Sequence, residues 1–353
     1  MQRERPHAAP DRPQRAAEPA VLRAPDAFML ARTIGNRATA SLLQRNSPVD
    51  APRTFSDKGS GHSVRRVPVN GVTGGGSTDV AIAVIPDNLP ANGGAVDVLL
   101  FMHGWHVRGA HGYGTEGGKE ADDVAFHKIP QQMAAAGRPM VGVLPQGSDK
   151  SDFNRDNDKN QKGFDADTLI ADVFARVGAM KEWGTITTPP TPGRVMFAGH
   201  SGADIGMDQM LSGGKGPKQL GGIFILDTLY DDAGHEKAVW KVSEQRLEQD
   251  LVHLKGMVTG DPARDEQAQV AWIKAAGFRL FDTYVPKGYY DKSGETLAKK
   301  KDAWLKKAST SAVLGAPGSP LYAAVSANLV FGEATTDHDH VVGAHLKDAL
   351  ATL

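Results

Sequence analysis

The apolar run Val195-Met196-Phe197-Ala198 is followed without a break by Gly199-His200-Ser201-Gly202-Ala203. That junction constrains the fold more than any other part of the chain. A buried strand that must turn at once into a helix leaves no room for large side chains beside the turning residue. Small residues at 199, 202 and 203 meet that demand and hold the Ser201 hydroxyl clear of the sheet, close to the N–H groups that open the next helix. The pattern reads as a nucleophile elbow with its final glycine replaced by Ala203. Five residues alone fit an ordinary glycine-rich strand-to-helix turn equally well, so the surroundings must decide.

Those surroundings alternate. Val64–Val69 and Val80–Ile85 read as an antiparallel pair, and the runs 96–102, 140–144, 195–198 and 223–226 read as buried parallel strands. Helical periodicity occupies roughly 118–136, 166–183, 202–212, 236–255, 264–276 and 294–308. A last strand is expected near 325–331, and a closing helix from about Val341. The expected fold class is therefore α/β: a mostly parallel central sheet with helices on both faces, opened by an antiparallel hairpin.

Ahead of this domain, expected over residues 63–353, the character changes. Residues 1–26 carry prolines at 6, 10, 13, 19 and 25 and arginines at 3, 5, 12, 15 and 23, with little apolar surface, and read as a disordered tail. Over 27–45, Leu30, Ile34, Ala38 and Leu42 give a short amphipathic helix, and 46–62 reads as a linker. A net charge of −1 gives no general attraction to nucleic acid, and none is expected as a partner. With no cysteine, thiolate catalysis and cysteine-based zinc sites are excluded. Neither a transmembrane segment nor a signal peptide is expected, which places the chain in the cytoplasm of the producing cell.

In an open α/β sheet the reactive groups gather at the carboxyl ends of strands. His103-Gly104-Trp105 follows the 96–102 run, Ser201 follows 195–198, Asp227 follows 223–226, and Asp337-His338-Asp339-His340 follows the last expected strand. Serine is a poor nucleophile at neutral pH and needs an imidazole to take its proton and a carboxylate to orient that imidazole. Ser201, Asp227 and one of the two histidines His338 and His340 could supply these groups.

This combination resembles the α/β-hydrolase superfamily from about residue 63 onward. The resemblance implies a serine hydrolase acting on a small-molecule or lipid ester, with an amide as the alternative, through an acyl-enzyme and without a cofactor. It also implies an oxyanion hole from the N–H groups of Trp105 and Gly202, and a structural role for His103. Relatives whose catalytic histidine precedes a closing helix favour His338 over His340. Relatives that carry the acid one strand later keep Asp282 and Asp291 open beside Asp227.

Rival readings remain. His103, His106 and His111, with His338-Asp339-His340, would suit a metallo-hydrolase. Asp152, Asn154, Asp156 and Asp158 alternate like the start of a calcium loop, but Asn157 and Gly163 stand where its glycine and glutamate belong. A catalytically silent hydrolase-like cargo, scaffold or binding module is the alternative from another class. Residues 30–45 (Leu-Ala-Arg-Thr-Ile-Gly-Asn-Arg-Ala-Thr-Ala-Ser-Leu-Leu-Gln-Arg) resemble a short motif near the N-termini of proteins associated with bacterial extracellular contractile injection systems. That resemblance implies a loading signal over 27–45, and export of the enzyme in an injection particle as an effector.

Overall fold

The computed structural model describes residues 54–57, 61–69, 80–90, 92–103, 127–146, 164–180, 183, 186, 188–229, 234–288, 290–311 and 313–353. The readings for 1–26 and 27–45, Trp105, His106, His111 and the 152–163 loop lie outside the described residues.

Among the described residues nine strands form one sheet: β1 (Thr54–Asp57), β2 (His62–Pro68), β3 (Val80–Pro86), β4 (Ala95–Met102), β5 (Met140–Gln146), β6 (Thr191–Ser201), β7 (Leu220–Thr228), β8 (Arg279–Tyr284) and β9 (Leu329–Glu333). Their spatial order is β1-β2-β3-β5-β4-β6-β7-β8-β9. The first three strands, and the join of β3 to β5, are antiparallel; from β5 to β9 every neighbour is parallel. This is the mostly parallel sheet with helices on both faces that the sequence leads one to expect.

Alternation along the strands explains the layers. Val98, Leu100, Phe197, Ile223 and Ile225 face one side, where they join α2 (Ala166–Ala179), α3 (Asp204–Ser212), α4 (Glu236–Gly256), α5 (Pro262–Ala276), α6 (Asp291–Ala308) and α7 (Pro320–Ala327) in one apolar layer. Leu99, Phe101, Met196, Ala198, Phe224 and Leu226 face the other, under α1 (Ile129–Ala135) and α8 (Val341–Ala351). Such strands are apolar on both faces, as a doubly covered sheet requires.

Two expectations are corrected. The stretch 46–62, read as a linker, contains β1 and the first residue of β2. The strand expected near 325–331 is found displaced, as β9 from Leu329 to Glu333, because residues 325–327 close the helix α7. Ser319 caps α7, its side chain accepting from the Tyr322 N–H at 3.2 Å, and Pro320 occupies the first turn. Strand β8 is an addition to the expected set.

The topology fixes where chemistry can occur. The chain runs from β4 to β5 on one side, then returns past β4 to β6 on the other, so β4 and β6 are neighbours whose connections leave in opposite directions. Such a switch point opens a crevice outside the carboxyl ends of the strands. Ser201 ends β6 at that crevice.

Candidate active site

Ser201 sits at φ 52°, in the left-handed region that non-glycine residues rarely adopt. Holding it there costs on the order of 1–3 kcal/mol, which the surrounding packing must offset. The elbow is correspondingly tight. A Cβ on Gly199 would lie 2.3 Å from Met207 Sδ and 3.1 Å from Ala203 Cβ, so glycine is required at 199. Ala203 is fully buried, its methyl packed into the closure between β6 and α3. Thr228, at the end of β7, donates through Oγ1 to the Ser201 carbonyl and ties the serine turn to the neighbouring strand.

Ser201 Oγ lies 2.8 Å from His338 Nε2, and His338 Nδ1 lies 2.5 Å from Asp227 Oδ2. Asp227 Oδ1 accepts from the Val285 N–H at 2.8 Å. With the carboxylate accepting from Nδ1–H, Nε2 is left as the acceptor for the serine hydroxyl. Three residues distant in the chain thus form one hydrogen-bonded line. Asp227 is 1% exposed and also at positive φ (49°), whereas the His338 side chain keeps 35% exposure.

The loop carrying His338 is a single 3-10 turn, His338–His340, entered through Asp337. Asp337 Oδ1 accepts from the His340 N–H at 3.1 Å and from His340 Nδ1 at 2.6 Å. His340 is therefore turned to the solvent side, with its side chain 62% exposed. Two residues apart in a tight turn, the two imidazoles point different ways, and the structure brings His338 to Ser201 and not His340.

The two other acid candidates are also placed. Asp291 opens α6 and is partly exposed. Asp282 lies within β8, opposite Ile225 of β7 and Phe331 of β9, on the apolar layer side. It is 2% exposed and its Oδ2 has no hydrogen-bond partner. Burial, reinforced by the neighbouring charge of Asp227, pushes its carboxyl up to about 8.

Gly202 is buried in the turn between β6 and α3. Trp105, the other expected oxyanion donor, falls outside the described residues, and His103 is buried at the end of β4. Among the described residues no cluster of three or more His, Asp or Glu side chains could hold a metal ion, and no helix is long and apolar enough to cross a membrane.

The sequence reading missed two rings stacked on His338 and a third behind one of them. Tyr290 stacks on it at 5.4 Å between centroids and 10° between planes, and His200 stacks at 4.8 Å and 30°. His127 meets His200 edge-on at 5.2 Å and 76°. Burial, with His340 and His338 nearby, lowers His127 to about 4. The strand period could have flagged His200, since it shares the Met196/Ala198 side of β6; Tyr290 carries no comparable local signal.

No family model matches the chain, and no curated protein matches it. Several solved structures are similar. The feruloyl esterase module from Clostridium thermocellum is 13% identical, with 87% of this chain and 94% of that one covered and a TM-score of 0.42. An S-formylglutathione hydrolase from Agrobacterium tumefaciens is 13% identical over 86% and 97% of the two chains, TM-score 0.37. A thermostable esterase from Pseudomonas putida is 14% identical over 95% and 96%, TM-score 0.34. Similarity at this level carries no activity over to this chain, whose chemistry has to come from its own side chains.

Proposed function

We propose that the protein is a serine hydrolase that cleaves carboxylic esters through an acyl-enzyme on Ser201. The observation that supports this reading is the unbroken line from Ser201 Oγ through His338 to Asp227, at 2.8 and 2.5 Å. A hydroxyl, an imidazole and a buried carboxylate in that order are the parts that acyl transfer needs.

In the first half-reaction His338 Nε2 takes the Ser201 proton as Oγ bonds to the ester carbonyl carbon. The carbonyl oxygen becomes an oxyanion, received by the Gly202 N–H and, by the family resemblance, that of Trp105. Asp227 holds the imidazolium in orientation. The tetrahedral adduct collapses as the alkoxy bond breaks, and His338 returns the proton to the departing alcohol. Water then repeats the sequence on the acyl-enzyme, releasing the acid and restoring Ser201. Each step needs only these residues, the substrate and water.

Labelling with a fluorophosphonate probe tests the reading. Wild-type protein is expected to react at a single serine, and Ser201→Ala to be inert. No labelling of either would leave the silent cargo or binding module as the better description, and equal labelling of both would move the nucleophile away from Ser201.

We further propose residues 27–45 as a loading signal for a contractile injection particle, on the strength of the sequence motif alone. Deleting residues 1–46 is expected to abolish particle association and to leave hydrolysis intact. Particle association that survives the deletion rules out the signal.

A further inference from the structure

His200, the middle residue of the elbow, takes no part in the three-residue line, yet it is built into the site. Alternation along β6 sends Met196, Ala198 and His200 to the α1/α8 face, directly beneath the turn that carries His338. His200 is 6% exposed, and its Nε2 lies 3.0 Å from the backbone carbonyl of His338. Burial pushes His200 well below the ordinary histidine range, with His127 and His338 adding to the effect, so the ring is neutral and carries one N–H. A carbonyl can only accept. The proton is therefore on Nε2, and the tautomer is fixed.

The carbonyl so held belongs to the residue whose side chain bridges Ser201 and Asp227. On its outer side the turn carries local, exposed contacts between Asp337 and His340. His200 is also the chain neighbour of Ser201. The peptide link from 201 to 200, the His200 ring, the Nε2–H···O=C bond, and the His338 backbone and side chain form a closed loop that returns to Ser201 Oγ. One strand end thus aims the nucleophile and fixes the height of the base above it.

We propose that His200 is a positioning residue, which sets the approach of His338 Nε2 to Ser201 Oγ through its hydrogen bond to the His338 carbonyl. The proposal rests on the hydrolase reading above. Reacting groups held within hydrogen-bond reach lose about 10²-fold in rate for a displacement of about 1 Å.

Two carboxamide variants of the full chain separate positioning from packing, with p-nitrophenyl acetate as the probe substrate. His200→Gln puts an N–H where Nε2–H lies, whereas His200→Asn puts it near Nδ1, out of reach of the carbonyl; both remove the ring stack. With both folded by thermal melting, His200→Asn is expected to lose about 10²-fold in kcat with KM nearly unchanged. His200→Gln is expected to be at least about tenfold faster than His200→Asn, and to keep the low-field Nδ1–H proton resonance of His338. Equal kcat values in the two folded variants overturn the proposal. Should His200→Asn fail to fold, His200→Gln decides alone: retention of the resonance and of kcat within about tenfold of wild type supports it, and loss of either overturns it. A wild-type chain that neither hydrolyses the ester nor labels at Ser201 removes the hydrolase reading and this proposal together. An active wild type that is silenced by Ser201→Ala, with the two carboxamides equal, removes the proposal only.

Discussion

Asp227 and Asp282 sit on adjacent strands, equally buried at 1% and 2% exposure, and the sequence offered both as the acid of the site. They differ in what touches them. Asp227 terminates β7, where the chain turns through positive φ, and both its oxygens are occupied, by the Val285 N–H and by His338. Asp282 lies two residues inside β8, facing the apolar layer, with an oxygen that has no hydrogen-bond partner. Burial alone therefore does not make a catalytic acid. The two buried carboxyls thus differ in their donors, and burial beside Asp227 pushes the carboxyl of Asp282, whose Oδ2 lacks one, up to about 8.

The largest test of this contrast is Asp227→Asn. The amide cannot hold the imidazole with Nε2 free to accept from serine, so kcat is expected to fall about 10⁴-fold. Steady-state ester hydrolysis measures it. A loss below about tenfold would hand the role to another carboxylate, with Asp282 the first to be tried in the same assay.

Asp282→Asn reads the other half of the comparison through stability. A carboxyl whose folded value is raised from 3.8 to about 8 binds more protons folded than unfolded between those pH values. Its contribution to stability is complete below about pH 4, declines as pH rises through the window, and levels off above about 8. The amide cannot ionise. Denaturant melts at pH 5 and pH 9 are therefore expected to show wild type losing on the order of a few kcal/mol more than the variant between the two conditions. Parallel pH profiles would mean that Asp282 is charged or relieved by a donor. Hydrolysis at pH 7 by this variant is expected to stay within about threefold of wild type, since an amide replaces an uncharged acid of the same shape.

The smallest effect belongs to the second histidine. The His340 side chain is exposed and pairs with Asp337 of the same turn, so His340→Ala is expected to shift stability by less than about 0.5 kcal/mol. Hydrolysis is expected to remain near wild type. A loss comparable with that of His338→Ala would mean that the turn presents the other imidazole in solution.

The same contrast shows what the sequence could and could not reveal. Strands β4, β5, β6 and β7 were legible because near-continuous apolar runs ending at small or reactive residues are characteristic of a doubly covered sheet. Strand β8 was not, because Arg279 and Asp282 interrupt its pattern. Both are buried nonetheless: Arg279 donates to the carbonyls of Lys274, Gly277 and Thr352, while burial pushes the Asp282 carboxyl up to about 8. The 320–333 stretch was misread because an apolar run has no intrinsic period, although Ser319 and Pro320 were start signals for a helix. Within the site, the elbow serine, the acid after β7 and the histidine of the last turn could be named in advance because each follows a strand end. The hold of His200 on the His338 carbonyl spans 138 positions and involves a backbone atom, which leaves no trace in residue spacing.

The central claim is that Ser201 becomes acylated with His338 as its base and Asp227 as the anchor of that base. Acid-quenched intact mass, followed by peptide mapping after brief mixing with p-nitrophenyl acetate, tests it most directly. Wild type is expected to gain one acetyl group on the peptide that contains Ser201, His338→Ala and Asp227→Asn to gain it slower by orders of magnitude, and Ser201→Ala to gain none. An acetyl group on another residue, or turnover of the ester by Ser201→Ala at the wild-type rate, would contradict the account.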